Sequence, residues 1–446
     1  MTRVLYTFLL RLLSPLLLAW MGLRARRVGG QWEILGPKRF GYYRRTSPFG
    51  KAPIWVHAVS LGETRAAQPL IQALLSQGHP VLLTHLTYTG RAEGARVFAE
   101  AVAQGQLVQQ WLPYDFPGAC RRFIAHYQPS VAVIVEREVW PNLMHAAVQA
   151  KLPVLLVSAR FSERSLRQSL RLGSIMHAAY SSFTAIYAQS LADAQRLEQA
   201  GGHAVRVAGN FKFDVQLPQD LVDHGCTCAQ ELGRKVVLIA STREGEEALF
   251  LPEIQRQVQR EHQLGLEAHR RTLFYIVPRH PQRFDAVHQL LVNTGLVVCR
   301  RSALKNVGGE GCRSALDVLR EADVLLGDSL GEMPWYVAQA QVVIMGGSFE
   351  PFGGHNFIEA CALGKVVILG PHVRNFEQAV HDAVQAQAIL RAPNAKAALR
   401  QALLLMESRS DHAHLSQAAR YWVQKHQGSV QRVVAGINEQ LIHNEK

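Results

Sequence analysis

At 446 residues the chain is longer than one hydrophobic core usually spans, so two α/β lobes are expected. Its 48% apolar and 19% charged residues are those of a folded protein and exclude extensive disorder. The formal net charge of +13 suits anionic lipid, acidic substrates or nucleic acid. No nucleic-acid motif or basic run interleaved with aromatics is present, which removes nucleic acid as an expected partner.

The first element is apolar. Residues 4–23 are nearly all apolar, broken by Arg11, Ser14 and Pro15, and about twenty residues is the length of a helix that spans a hydrocarbon core. Arg11 near the middle costs roughly 3 kcal/mol on insertion scales. The segment is therefore a marginal span that would tilt, lie at the interface or dip into one leaflet. A basic group follows: Arg24, Arg26, Arg27, Lys38, Arg39, Arg44, Arg45 and Lys51, against Glu33 alone. That pattern fits an anionic membrane surface. A cleaved signal peptide would carry its charge before the apolar run and a small-x-small site after it. Here the charge lies mainly after the run and no such site precedes the basic group. The expectation is an uncleaved N-terminal anchor, with everything after it in the cytoplasm.

From Pro53 onward short apolar runs alternate with helical patterns. Strands are predicted at 54–59, 81–87, 131–136, 154–158, 185–188 and 205–208, with amphipathic helices such as 65–77 and 193–200 between them. Alternating βα units imply a parallel sheet covered on both faces. The rhythm restarts after a polar, weakly patterned stretch at 216–233, giving strands at 236–240, 273–277, 297–299, 323–326, 342–345 and 366–369. The reading is an anchor and juxtamembrane segment over 1–50 and two doubly wound, Rossmann-like lobes over 51–215 and 216–446. Loops at the carboxyl ends of their strands would line a central cleft. Helices after Ala395 end the chain, and one is a candidate to pack back on the first lobe.

The six cysteines are scattered, and Cys226-Thr-Cys228 matches no common zinc spacing. A chain this large needs no disulfides, so a reducing compartment is expected. The nineteen histidines contain no His-Glu-x-x-His, and neither a metal site nor a cofactor is expected.

Unusual local sequences fall where strands end. Ser60-Leu-Gly-Glu63-Thr has the spacing of a capping box, yet Glu63 also stands where a general base would face the cleft. Glu136-Arg-Glu-Val-Trp-Pro-Asn142 puts two carboxylates at a strand end, for function or for salt bridges with Arg137 or Arg160. In Gly209-Asn-Phe-Lys-Phe-Asp214, Lys212 is flanked by aromatics and aims its ammonium at an anionic ligand or a partner carboxylate. The second lobe offers Ser241-Thr-Arg-Glu-Gly-Glu246 at a helix start, a natural anion site. Pro278-Arg279-His-Pro-Gln-Arg283-Phe places Arg279 at a strand end, where a guanidinium grips phosphate. Gly327-Asp-Ser-Leu-Gly-Glu332 is another strand-to-helix crossing. Glycines from Gly346 to Gly354 permit close backbone approach to a ligand. Asn356 and Glu359 have cap spacing, while Glu359 could instead bind two ribose hydroxyls. Four such loops on one sheet edge favour a nucleotide site. No Walker loop or Gly-x-Gly-x-x-Gly is present, which counts against kinases, ATPases and simple dehydrogenases.

On these residues the chain resembles the 3-deoxy-D-manno-octulosonic acid (Kdo) transferases of Gram-negative bacteria. The matching stretches are 57–64, 136–142, 209–214, 277–284, 327–332 and 353–360, in the family's order across nearly the whole chain. Departures are Leu61, Arg137 and Phe357, where valine, threonine and proline are usual. The resemblance implies a GT-B fold and a metal-independent, inverting transfer of Kdo from CMP-Kdo to a lipid A precursor at the cell inner membrane. It assigns Glu63 as the base, and Glu136 and Lys212 to transition-state stabilisation. CMP contacts map to Pro278 and Arg279, to Leu330, Gly331 and Glu332, and to Asn356, Phe357, Ile358 and Glu359. The rival readings are a UDP-sugar transferase with another lipid acceptor and an inert, membrane-tethered nucleotide-binding module.

Overall fold

The computed structural model describes residues 1–29, 32–43, 46–214, 216–304 and 315–444. Arg44 and Arg45 of the basic group, and Cys312, lie outside the described residues. The chain divides into two compact units, Met1–Asp214 with His426–Lys446, and Val215–Lys425.

The first unit is built on β1 (Ile54–His57), β2 (Val81–His85), β3 (Leu107–Trp111), β4 (Val131–Val135), β5 (Val154–Ala159), β6 (Ala185–Ala188) and β7 (Val205–Val207). All neighbours pair parallel in the order β3-β2-β1-β4-β5-β6-β7. The central strands read as unbroken apolar runs because both faces are covered. Strand order reverses between β1 and β4, so the chains leaving them diverge and open a crevice at their carboxyl ends. β3 has no counterpart among the predicted strands. Gln109 and Gln110 interrupt its apolar run, and Gln110 is buried by donating an amide hydrogen to the Tyr127 hydroxyl at 3.0 Å.

The second unit carries β8 (Val236–Thr242), β9 (Leu273–Pro278), β10 (Val298–Arg300), β11 (Val324–Leu326), β12 (Val342–Met345), β13 (Val366–Leu369) and β14 (Leu390–Arg391). Their order is β10-β11-β9-β8-β12-β13-β14, again all parallel, with the reversal between β8 and β12. The stretch taken from sequence as a polar joint is largely a helix of this unit, Gln219–Leu232. It buries Val222, Gly225 and Leu232, and Gly225 lets it meet the backbone of Trp335 closely. One wide polar face hid this apolar stripe.

The last helix, Ser429–Asn444, belongs to the first unit. Val430, Val433, Val434 and Ile437 enter its core beside β4 and β5. Asp214 fixes the return by accepting the amides of Gly428 at 2.6 Å and Val430 at 2.7 Å.

The N-terminal helix runs over Arg3–Val28 and is long and apolar enough to cross a membrane. Pro15 removes the donor that would reach the Arg11 carbonyl, and the Ser14 hydroxyl satisfies that oxygen at 2.8 Å instead. The helix lies along the first unit. The Met1 amino group donates to the Leu172 carbonyl at 3.0 Å, Tyr6 to Asp115 at 2.9 Å and Thr7 to Asn142 at 3.1 Å. Its other face exposes Val4, Phe8, Leu12 and Leu16.

One basic residue is not at the surface. Arg39, grouped from sequence with the membrane-facing cluster, is fully buried and donates to the carbonyls of Leu112 at 3.0 Å and Leu86 at 3.4 Å. Trp111 and Tyr114 sandwich its guanidinium. It ties together the exits of β2 and β3, and burial lowers its pKa.

Candidate active site

In the first unit the switch point brings Glu63 and Glu136 together. Glu63 lies in the first turn of the helix Leu61–Ser76, capped by Ser60. One carboxylate oxygen accepts the Val59 amide at 2.7 Å and the other accepts the Ser60 hydroxyl at 3.1 Å. The cap predicted from sequence is thus real, but it reaches back one residue further than a simple capping box. Each oxygen keeps a second lone pair for a proton. Burial raises the Glu63 pKa to about 7, and nearby Glu136 and Glu138 push the same way against the Val59 hydrogen bond.

Glu136 directly follows β4 with φ 65°, a left-handed conformation that costs a non-glycine residue about 1 to 3 kcal/mol. Ser158 in β5 (φ 48°) and Ser241 in β8 (φ 56°) share it. Strain gathered at strand ends is a mark of a functional edge. Glu136 is held there by its amide to the Val157 carbonyl at 3.0 Å and by the Arg160 amide to its own carbonyl at 3.3 Å. Among the described residues no close ion pair engages Glu136 or Glu138. Burial raises the Glu138 pKa and the Arg137 charge pulls it the other way, so of the salt bridges weighed from sequence only this longer-range attraction is present.

Lys212 sits in the single turn Phe211–Phe213, which contacts the helix of Glu63. Both flanking phenylalanines are buried. A relay fixes the turn to the same edge. Lys212 N–H donates to Asn210, Asn210 to Gln189, and Gln189 to the Ser158 carbonyl, at 3.0, 3.1 and 2.8 Å. Gln189 and Ser158 escaped the sequence reading because neither falls in an unusual local motif.

In the second unit the exits of β11, β9, β8 and β12 are consecutive along the sheet. All the predicted nucleotide loops therefore share one edge. Two carboxylates organise them. Glu246, fully buried, accepts the amides of Arg243 at 2.8 Å, Gly347 at 2.6 Å and Phe349 at 2.9 Å. Glu247, also buried, holds Arg283 in a two-pronged pair at 2.9 and 2.6 Å. Arg283 in turn donates to the Thr242 carbonyl, joining the β8 and β9 exits. Sequence showed Glu246 only as part of an anion-binding turn.

Arg279 projects from the end of β9 and is exposed, whereas Pro278 is buried in the strand. Arg243 stacks on Phe352 at 4.2 Å. Burial, then the charges of Arg279, Arg243 and His280, lower the His355 pKa to about 4. Arg279 and Arg243 therefore act on one small volume, with Glu244 offsetting Arg243 at 2.9 Å, and a net positive field there suits an anion. Leu330 is exposed and Gly331 has φ 81°. Arg301 grips Glu332 at 3.1 and 3.2 Å, so the Glu332 charge is neutralised within the protein. Asn356 donates to Glu359 at 2.9 Å and accepts the Ile358 amide at 3.2 Å, but the N-cap of the helix Ile358–Ala362 is Phe357, so Asn356 closes the turn before the helix rather than capping it. The side chains of Phe357 and Ile358 are fully buried, leaving only their backbone for a ligand. Phe357 stacks on Trp422 at 5.7 Å, which fills the place of the usual proline.

Gly346 sets how closely β12 approaches β8. A β-carbon there would lie 2.7 to 2.9 Å from the backbone of Thr242, Ser241 and Ala240. Gly346→Ala should therefore push the two exits apart, lower the Tm and weaken nucleotide binding at least tenfold. Calorimetry with CMP on the purified chain measures both effects, and unchanged affinity would remove this edge from the nucleotide site.

Comparison with known proteins agrees with this geometry. The family model for 3-deoxy-D-manno-octulosonic-acid transferase (kdotransferase) matches residues 36–215, and that for group 1 glycosyl transferases matches residues 313–422. The 3-deoxy-D-manno-octulosonic acid transferase of Bordetella pertussis is 50% identical over 446 residues, covering 99% of this chain and 100% of the relative. That of Haemophilus influenzae is 29% identical over 455 residues, covering 100% of each. A solved glycosyltransferase from Rickettsia africae covers 89% of this chain and all of its own, at a TM-score of 0.53 and 15% identity, a likeness of fold. The chain is a glycosyltransferase with two GT-B-type α/β lobes, and it belongs to the family of 3-deoxy-D-manno-octulosonic acid transferases.

Proposed function

We propose that the chain transfers Kdo from CMP-Kdo to a sugar hydroxyl of a lipid A precursor, with inversion and without a metal. The observation that carries this reading is Glu63, a carboxylate at the switch point whose pKa is raised to about 7. A base poised near working pH is what activation of a hydroxyl needs. Glu63 takes the hydroxyl proton as the acceptor oxygen bonds to the anomeric carbon of Kdo. The bond from that carbon to the CMP phosphate breaks, and CMP leaves with the electron pair. Lys212 and Glu136 stabilise the transition state from the first lobe. Arg279 neutralises the departing phosphate, the backbone of residues 356–359 and Gly331 holds the nucleotide, and Glu359 reaches the ribose.

The N-terminal helix supports membrane attachment in the plane of the interface. It is docked by Met1, Tyr6 and Thr7 and turns an apolar face outward. A helix lying on its own domain binds a membrane through that outer face. The basic residues after it favour the cytoplasmic leaflet of the inner membrane.

The test is the mass of the acceptor lipid after incubation with CMP-Kdo or with UDP-sugars. A Kdo increment with CMP-Kdo alone is expected, and it also counts the Kdo residues added. Increments from UDP-sugars instead would overturn the reading. Within it, Arg279→Ala should raise the donor KM about tenfold to a hundredfold, because a charge-assisted hydrogen bond contributes about 1.5 to 3 kcal/mol. Unaltered donor KM would free Arg279 from its assigned role.

A further inference from the structure

We propose that the cavity beneath the N-terminal helix is a subsite for one acyl chain of the acceptor lipid, an inference that rests on the acceptor named above. The cavity has a volume of about 310 Å³ and lies wholly within the first unit. Leu10, Leu17 and Met21 of the helix form one wall, and Leu86, Leu112 and Trp140 the other.

Its chemistry selects hydrocarbon. Packed interiors leave few voids larger than a water molecule, and water settles only where two or more polar partners await it. The one carboxylate on the wall, Asp115, already accepts the Tyr6 hydroxyl and the amides of Asn142 and Leu143. The Ser14 hydroxyl is committed to the Arg11 carbonyl. An occupant therefore finds a mostly apolar surface, on which the buried indole N–H of Trp140 is the one polar group among these without a hydrogen bond.

Its position selects the acceptor. Leu86 and Leu112 follow β2 and β3, and Trp140 closes the loop that begins at Glu136. The inner wall is thus continuous with the sheet edge that carries Glu63 and Glu136. The outer wall is the helix that exposes Val4, Phe8, Leu12 and Leu16 on its far side. A chain drawn from lipid into this space passes from one apolar environment to another while its headgroup stays beside the carboxylates.

The experiment uses the full chain in vesicles with an acceptor carrying a photoactivatable diazirine on an acyl chain. Crosslinks at Met21, Leu86, Leu112 or Trp140, suppressed by unlabelled acceptor, are expected. Labelling confined to outward residues such as Leu12 and Leu16, or equal labelling by a diazirine phospholipid, overturns the subsite. Kinetics give a second readout. Leu17→Trp should raise the KM for acylated acceptor about tenfold relative to that for the deacylated disaccharide. An equal change for both overturns the subsite as well. Failure of the wild-type chain to transfer to any acylated acceptor overturns the proposed function, and the subsite with it. Transfer with labelling outside the cavity overturns the subsite alone.

Discussion

Glu63→Ala is expected to slow transfer by about 100- to 10,000-fold while leaving donor binding nearly intact, the range a positioned general base contributes. The donor loops belong to the other unit, so CMP affinity measured by calorimetry separates a lost base from a damaged nucleotide site. The pH profile sharpens the expectation. With the Glu63 pKa at about 7, the basic form grows as pH rises through neutrality, and kcat/KM should climb across that interval. In Glu63→Gln this limb should vanish from the residual activity. If it persists, the base lies elsewhere.

The same shift has a consequence for stability with the opposite sign from the usual salt-bridged carboxylate. The folded pKa lies above the ordinary 4.5, so the fold favours the protonated acid. That contribution is fully present below about pH 4.5 and is lost as pH rises through about 7. Glu63→Gln, always neutral and still able to accept the Val59 amide, should therefore melt higher than wild type at pH 8. At pH 4 the two should converge. An activity lost and a Tm gained by one substitution is what a residue kept for chemistry predicts.

Much of this architecture was legible because parallel strands are buried on both faces and so write themselves as apolar runs. The runs at 342–345 and 366–369 coincide with β12 and β13 to the residue. β3 was not legible, since an edge strand with a buried glutamine looks like a polar loop. Arg39 was misread because a basic residue beside an anchor looks superficial until two carbonyls and two aromatic rings are found around it. The site was half legible. Spacing shows that Ser60 and Glu63 cap a helix, and the structure agrees. What spacing cannot show is strand order, and it is the adjacency of β1 and β4 that sets Glu63 within reach of the Glu136 charge. Lys212 likewise depends on a relay through Gln189 and Ser158, residues distant in sequence.

Glu246→Ala should be the most damaging single change in the second unit. The carboxylate is fully buried and serves three backbone amides, those of Arg243, Gly347 and Phe349. Each donor left unsatisfied costs about 1 to 3 kcal/mol, so a loss of at least about 3 kcal/mol is expected, among the largest for a single substitution. Those amides belong to the β8 and β12 exits, so donor affinity should fall together with Tm. Glu246→Gln keeps one acceptor oxygen but turns an NH2 toward the remaining donors, and it should fall between wild type and alanine. The contrast with Arg279→Ala makes the assignment testable. Arg279 is exposed, and its loss should weaken the donor with little change in Tm. Glu246 touches no ligand in this scheme and acts by holding the loops that do. Thermal melts and CMP titrations of the two variants separate these roles. A Glu246→Ala protein with wild-type Tm but weak CMP binding would make Glu246 a ligand contact rather than a support.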